Sequence, residues 1–395
     1  MLRLGCMRTA IICYAFYDGN FRIQRYGEAL AARGDTVDVI ALNPGDLPAF
    51  ETVKGINIYR VQGREMIKES RAGYLMRVAL FMLRAFFLIT RKHLQKRYDL
   101  IHVHSVPDFL VFTCIIPKLS GTKIILDIHD ILPEFYSTRY GKARGSFFVK
   151  ILIFLERVSN KFSDYVIIAN PIWHERLISR GLNPDKLVTI PNYPNPEVFY
   201  PRSKKSSNGK FVATYPGTLN WHQGLDIAVQ AYARVIQEFP EAEFHIYGAG
   251  PEKDKLVQLV GELKVEKNVL FRDFLPIDEI VTVMANSDLA IVPKRSKSTF
   301  GTEAASTKIL EFMSVGVPIV VSRTKIDSHY HTDATVKFYD SDDPNQLADA
   351  ILEMMRDPSL RNRLSANALA YAQEQSWDRR KIDYLAIVDN LVAHK

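Results

Sequence analysis

The stretch Thr302-Glu-Ala-Ala-Ser-Thr-Lys-Ile-Leu-Glu-Phe-Met-Ser-Val-Gly-Val-Pro-Ile-Val-Val-Ser322 decides how this chain is read. An acid at Glu303 is followed by seven residues and a second acid at Glu311, inside a short apolar helical pattern. Gly316-Val-Pro318 ends that pattern, and the run Ile319–Val321 reads as a buried strand. Helix capping does not account for the pair of acids. A capping box needs Glu or Gln three residues after Ser or Thr, and here Ser306 and Thr307 lead to Ile309 and Leu310. Glu303 suits the positive end of the helix from outside, but Glu311, one turn inside, has no such role.

Working outward, the same alternation fills the chain. Apolar, β-branched runs stand at Ala10–Ala15, Thr36–Leu42, Asp99–His104, Lys123–Ile128 and Asp164–Ala169. A second series stands at Phe211–Tyr215, Glu243–Tyr247, Asn268–Phe271, Asp288–Val292 and Pro318–Val321, with helical patterns between the runs. Such strands predict parallel sheets covered on both faces. Ile190–Lys210, rich in Pro, Asn, Ser and Lys, divides the series as an exposed linker. The expected fold is α/β: two doubly wound, Rossmann-like domains, 1–200 and 201–375, facing a cleft, with a terminal helix in 376–395. Ligands of such sheets bind at the carboxyl ends of the strands, beside helix N-termini.

Composition agrees with two cores, since 395 residues exceed one ordinary domain. The three cysteines, Cys6, Cys13 and Cys114, have no metal or disulfide spacing, and a reducing, cytoplasmic compartment is expected. The opening MLRLGCMRTAIICYAF holds only a short apolar run and reads as a buried strand rather than a secretory signal. The net charge of +7 suits an anionic partner: nucleic acid, acidic lipid or a phosphorylated small molecule.

Five constellations carry candidate chemistry. Gly19, in Tyr17–Asn20 between the first strand and helix, permits close approach of an anion, as a plain turn also would. Leu126–Glu134 sets three acids and His129 at a strand end. Tyr215–Asp226 contains Gly217, Thr218, Gln223 and Gly224 in a strand-to-helix loop. Gly248-Ala-Gly250 resembles part of a dinucleotide fingerprint, but Lys253 stands where a third glycine belongs. Val292–Lys297 brings Lys294 and Arg295 toward Glu303 and Glu311; cations suit a diphosphate and carboxylates suit sugar hydroxyls.

The segment Gly73–Arg97 is apolar, yet Arg77, Arg84 and Arg91 recur every seven residues on one helix face, and Lys92, Lys96 and Arg97 extend its basic end. Arginines inside the run argue against a span. A basic amphipathic helix on an anionic membrane is one reading; a core helix with its arginines on the wet side is the other. Arg139, Lys142, Arg144 and Lys150 around Phe147-Phe148 form a second patch. The basic residues alternate with apolar ones and not with a stacking platform, so no nucleic acid is expected.

These landmarks together resemble the retaining glycosyltransferases of family 4, which have the GT-B fold. The resemblance runs nearly end to end: the Gly19 loop, Arg33–Val39, Asp99–His104, Ile190-Pro-Asn192, Gly217 to Gly224, Tyr247–Glu252, and Glu303 to Glu311 with Gly316-Val-Pro318. It implies a nucleotide diphosphate sugar as donor and a saccharide acceptor, expected to be lipid-linked, as in bacterial surface polysaccharide synthesis on the inner face of the cell membrane. Glu303 then lies by the donor sugar and Glu311 at the ribose. Ser306 and Thr307 lie near the diphosphate, and His129 points at the reacting sugar. The last helix crosses back to the first domain. No metal or other cofactor is implied. Family members carry Arg and Lys where Thr218 and Gln223 stand, so His222, Lys294, Arg295 and Lys308 are the candidate replacements, with Lys294 and Arg295 favoured. The alternatives are an epimerase or hydrolase of nucleotide sugars, a silent partner subunit of another transferase, and a nicotinamide oxidoreductase using Gly248 and Gly250.

Overall fold

The apolar runs become strands, and their order sets where a ligand can sit. The computed structural model describes residues 6–63, 71–140, 146–203 and 209–393. The chain divides into two compact units, Met1–Asn192 with Arg380–Lys395, and Tyr193–Arg379. The first unit contains β1 (Arg8–Phe16), β2 (Thr36–Asn43), β3 (Phe50–Val53), β4 (Ile56–Gly63), β5 (Leu100–His104), β6 (Lys123–Ile128), β7 (Tyr165–Ile168) and β8 (Leu187–Thr189). Their order is β3-β4-β2-β1-β5-β6-β7-β8, and only the β3–β4 pair is antiparallel. Ile11, Val39, Ile101 and Ile125 have no exposed surface, as a sheet covered on both faces requires. Each such side chain contributes about 1.5–3 kcal/mol.

The second unit contains β9 (Val212–Pro216), β10 (Glu243–Tyr247), β11 (Val269–Arg272), β12 (Leu289–Val292), β13 (Ile319–Ser322) and β14 (Lys337–Tyr339). Their order is β11-β10-β9-β12-β13-β14, all parallel. In each sheet the winding reverses at the first strand: β1 has β2 and β5 as neighbours, β9 has β10 and β12. The loops leaving these strands are the switch points where such folds bind ligands.

The ten expected strands are all present. Four were not foreseen: β3, β4, β8 and β14. In β4 the buried positions include Arg60 and Gln62, so the apolar alternation is broken. Arg60 is tolerated there because Asp18 accepts from its guanidinium at 2.9 Å, and Glu51 also pairs with it. β3 is an exposed edge, and β8 and β14 have three residues each. The terminal helix, Trp377–Ala393, places Tyr384 fully inside the first unit, its ring 4.4 Å from that of Tyr26.

The helix Arg71–Gln95 has two apolar faces. Val78, Phe81, Ala85 and Ile89 are buried in the first unit. At about 100° per residue, Met76, Leu80, Leu83, Phe87 and Leu94 fall on the opposite side, and each is more than 40% exposed. Arg77, Arg84 and Arg91 border that open stripe, and Arg84 donates to Val61 O at 3.0 Å. The stretch Ala72–Gln95 is long and apolar enough to cross a membrane, yet one side is built into the core. Lys92 corrects the expectation of a membrane-facing cation. Its ammonium donates to Tyr59 Oη at 2.6 Å and lies 3.5 Å from Asp38, so it is an internal tie. In the second patch, Lys142, Arg144 and the side chain of Arg139 lie outside the described residues; Phe147 and Phe154, on the helix Phe147–Phe162, are exposed.

Gly248, just after β10, has φ 134°, and a Cβ there would lie 2.1 Å from Gly217 O. The glycine pair is thus explained by backbone packing: a Cβ at Gly250 would meet Leu219 O at 2.4 Å. Gly248→Ala therefore combines a disfavoured φ with a backbone clash and should destabilise by about 2–4 kcal/mol, read from urea midpoints.

Asp108 is buried at the start of the short helix Asp108–Cys114. Burial, reinforced by nearby Glu156, pushes its carboxyl up to about 8. The native state then binds this proton more tightly than the unfolded chain, so stability falls as pH rises from about 4 toward 8. Asp108→Asn removes the titration. It should raise the melting temperature at pH 8.5 by at least about 3 °C and leave it nearly unchanged at pH 4.

Candidate active site

In the first unit the site grows from two adjacent parallel strands. β5 and β6 pair His104 with Asp127, and strand alternation puts His102 and His104 on one face. His129 follows the end of β6. Arg22, in the helix Phe21–Ala32, grips Asp127 in a fork: Nε to Oδ2 at 2.8 Å and Nη2 to Oδ1 at 2.6 Å. Its Nη1 donates to Ile190 O at 2.8 Å and Asn192 Oδ1 at 2.7 Å. Burial raises the Asp127 carboxyl, but Arg22 and the imidazoles outweigh it and hold the group well below the usual range. Burial lowers both strand histidines, His104 to about 4 and His102 well below its ordinary value. His104 Nδ1 lies 3.2 Å from Asp127 Oδ2 and 2.9 Å from His129 Nε2. His102 Nδ1 lies 3.1 Å from Tyr384 Oη.

Donor atoms of His102, His104 and Asp127 lie within 4.8 Å of one another, as metal ligands do. The guanidinium of Arg22 already supplies the positive charge at both Asp127 oxygens, so these residues do not fit a cation. Of the acids expected beside His129, Glu134 is also engaged internally, with Arg180 and Arg176. Burial raises the carboxyl of Asp130, against His129 and Arg22. Gly19 lies in this unit, in the open loop before the helix that Asn20 caps.

In the second unit the loop after β9 carries Gly217, whose φ of 142° leaves its face open to Lys308. A Cβ at Gly217 would lie 2.3 Å from Lys308 Cε and 2.9 Å from Nζ, so the lysine tail lies directly over the glycine. The ammonium stands 5.2 Å from the Tyr215 ring centroid, and Tyr215 Oη donates to Thr218 O at 3.0 Å. Burial lowers the Lys308 ammonium, against Glu311, three residues on. Burial raises the Glu311 carboxyl, against Lys308 and a hydrogen bond from Thr307. Ser306 occupies the N-cap of the helix Thr307–Ser314 without capping it; its buried Oγ has no partner among the described residues. Glu303 ends the short helix Thr299–Glu303 and is buried. Gln223 Nε2 lies 3.2 Å from His222 Nε2, and His222 is lowered to about 4 by burial, with Lys308 and Lys294 adding to it.

The two favoured cations are corrected here. Lys294 is 3% exposed; its ammonium bonds Asp327 Oδ2 at 2.9 Å and Ala304 O at 2.8 Å. Arg295 pairs with Asp226 and Asp342, donates to Trp221 O at 3.1 Å and stacks on the Trp221 ring. Both are internal ties that brace the loops, whereas Lys308 makes no ion pair among the described residues and lies over Gly217. Sequence reasoning also missed Arg22 and His104, and took Asp127 only as one of three acids beside His129. The signal available was His-x-His and Asp-x-His ending two successive strands.

Residues 21–198 match the family described as Glycosyltransferase Family 4, and residues 199–370 match Glycosyl transferases group 1. An uncharacterized glycosyltransferase of Methanocaldococcus jannaschii is 26% identical over 373 residues, 89% of this chain and 88% of the relative. The O-antigen biosynthesis glycosyltransferase WclY of Escherichia coli is 25% identical over 268 residues, 66% of this chain and 70% of the relative. Among solved structures, Anabaena HepE in complex with UDP-glucose is similar in fold, with a TM-score of 0.69 at 18% identity over 98% of each chain. The two family matches together run from residue 21 to residue 370, across both Rossmann-like sheets, and the chain is a glycosyltransferase of the family 4 kind, with the GT-B fold.

Proposed function

We propose that the chain is a retaining transferase that moves a sugar from a nucleotide diphosphate sugar to a lipid-linked saccharide at an anionic membrane surface. The observation that carries the donor is Lys308 lying over Gly217 at the switch point of the second sheet. That ammonium and the amides opening the helix Thr307–Ser314 would meet the diphosphate, with Ser306 Oγ as a further contact. Glu311 would accept from the ribose hydroxyls, and Glu303 and His129 would contact the sugar. The leaving phosphate would take the acceptor proton on the same face, which retains the anomeric configuration. Lysine and helix dipole supply the positive charge, so the reading requires no divalent ion. HepE has been solved with UDP-glucose and WclY is named for O-antigen synthesis, which supports a sugar nucleotide and a surface saccharide here.

The membrane part rests on the open stripe Met76–Leu94 bordered by Arg77, Arg84 and Arg91, with exposed Phe147 and Phe154 beyond it. Apolar side chains would enter the acyl boundary while arginines meet anionic headgroups. The full chain should float with vesicles containing phosphatidylglycerol and stay behind with neutral phosphatidylcholine. Leu83→Asp with Phe87→Asp should abolish flotation without lowering the melting temperature; equal binding by this variant would sink the membrane reading.

A thermal-shift panel of UDP-, GDP- and TDP-sugars tests the donor. At a concentration 100 times Kd, one of them should stabilise the chain by about 2.7 kcal/mol, in EDTA as in its absence. Lys308→Ala and Glu311→Ala should each lose most of that shift. A well-folded chain that responds to none of the panel would favour the silent-subunit reading.

A further inference from the structure

We propose that Asp127 and His104 are positioning residues that fix His129 in the tautomer carrying its proton on Nδ1, so that His129 meets a sugar oxygen as a hydrogen-bond donor and not as a base. The contact with a sugar rests on the function proposed above; the tautomer does not.

The proton count follows from the distances. A carboxylate only accepts, and Asp127 Oδ2 lies 3.2 Å from His104 Nδ1. His104 Nδ1 therefore carries hydrogen. Burial keeps this imidazole neutral, so Nε2 is bare. That fits its surroundings, because Nε2 is buried without a partner among the described residues, and a stranded lone pair is better tolerated than a stranded N–H. His129 Nε2 lies 2.9 Å from the same His104 Nδ1. Two N–H groups cannot face each other at that separation, so His129 Nε2 accepts and its own proton sits on Nδ1. Asp127 does not bond His129 directly, since its Oδ2 is 3.7 Å from Nε2, too long for a hydrogen bond.

The relay is rigid. Arg22 fixes both oxygens of Asp127. The His102 ring stacks on His104 at 4.4 Å and 18°, and Tyr26 packs against both rings. His129 meets His104 edge-on and keeps 22% of its side chain exposed, so its other nitrogen is the one left for a ligand.

The test is a long-range proton–nitrogen correlation spectrum of the full chain labelled in its histidine rings, with His129 assigned from the peaks lost in His129→Asn. The expected pattern for His129 is a protonated Nδ1 and a bare Nε2, without any sugar nucleotide present. A proton on Nε2 would overturn the proposal. His104→Phe keeps a stacked ring but removes the donor and should release His129 into an exchanging mixture; an unchanged pattern there also overturns it. In a transfer assay, Asn places an amide N–H near Nδ1 and Gln places one near Nε2. His129→Asn should therefore keep a kcat about tenfold above His129→Gln, and the reverse order contradicts a donor at Nδ1. A chain that transfers no sugar but shows the expected tautomer would refute the transferase reading and leave the relay standing.

Discussion

The first unit depends on the ion pair between Arg22 and Asp127. Both partners are removed from water, and the fork geometry with two short charge-assisted bonds is what makes that burial tolerable. Removing one partner from such a pair costs about 3–5 kcal/mol, because the other charge is left stranded. The pair also joins three separated pieces of chain. Arg22 comes from the helix after β1, Asp127 from β6, and the remaining guanidinium bonds hold Ile190 and Asn192, where the chain leaves the unit. The same ionised carboxylate dictates where the neighbouring imidazole protons sit. Fold and site chemistry thus share one charge.

The second unit distinguishes its two inner lysines by their partners. Lys294 has a carboxylate within hydrogen-bond reach and a carbonyl beside it, so its charge is already answered. It joins the end of β12 to Ala304 and to the Asp327 segment, and so braces the approach to the helix Thr307–Ser314. Lys308 makes no ion pair among the described residues and lies over a glycine whose missing side chain makes room for it. A cation kept partly out of water without a carboxylate in contact favours an incoming anion. Identical side chains thus differ in whether their charge is answered, and the carboxylate at 2.9 Å from Lys294 makes the difference.

The fold was legible in the sequence because strands buried on both faces are plain apolar runs, as Ile11-Ile12 and Ile124–Leu126 are. β4 was not, because Arg60 and Gln62 occupy buried positions and only long-range partners make them tolerable. A residue proposed through its place in a motif, as Glu303, Glu311 and His129 are, can be picked out in the sequence without knowledge of its partners. The site was not legible where a role depends on which partner is near. Lys294, Arg295 and Lys92 all read as available cations, and each is engaged by a carboxylate distant in sequence. Lys308 reads as the lesser candidate, since nothing local says that Gly217 leaves it room. The histidines and aspartate of β5 and β6 needed the strand register, which pairs His104 with Asp127.

The candidate groups of the two units differ in charge, and the proposed glycosyl transfer would use that difference. As the anomeric bond breaks, the sugar becomes positive and the leaving phosphate negative. A cationic group beside the sugar would oppose the first change, and the first unit keeps His102 and His104 neutral by burial while its guanidinium is neutralised by Asp127. A neutral group beside the phosphate would not answer the second; on the proposed reading, Lys308 of the second unit would. Burial draws that ammonium down and Glu311 up, so each leans toward its uncharged form. A diphosphate settling beside Lys308 would favour the charged ammonium. By linkage, the anion is then bound most tightly in the protonated state that its negative charge itself stabilises.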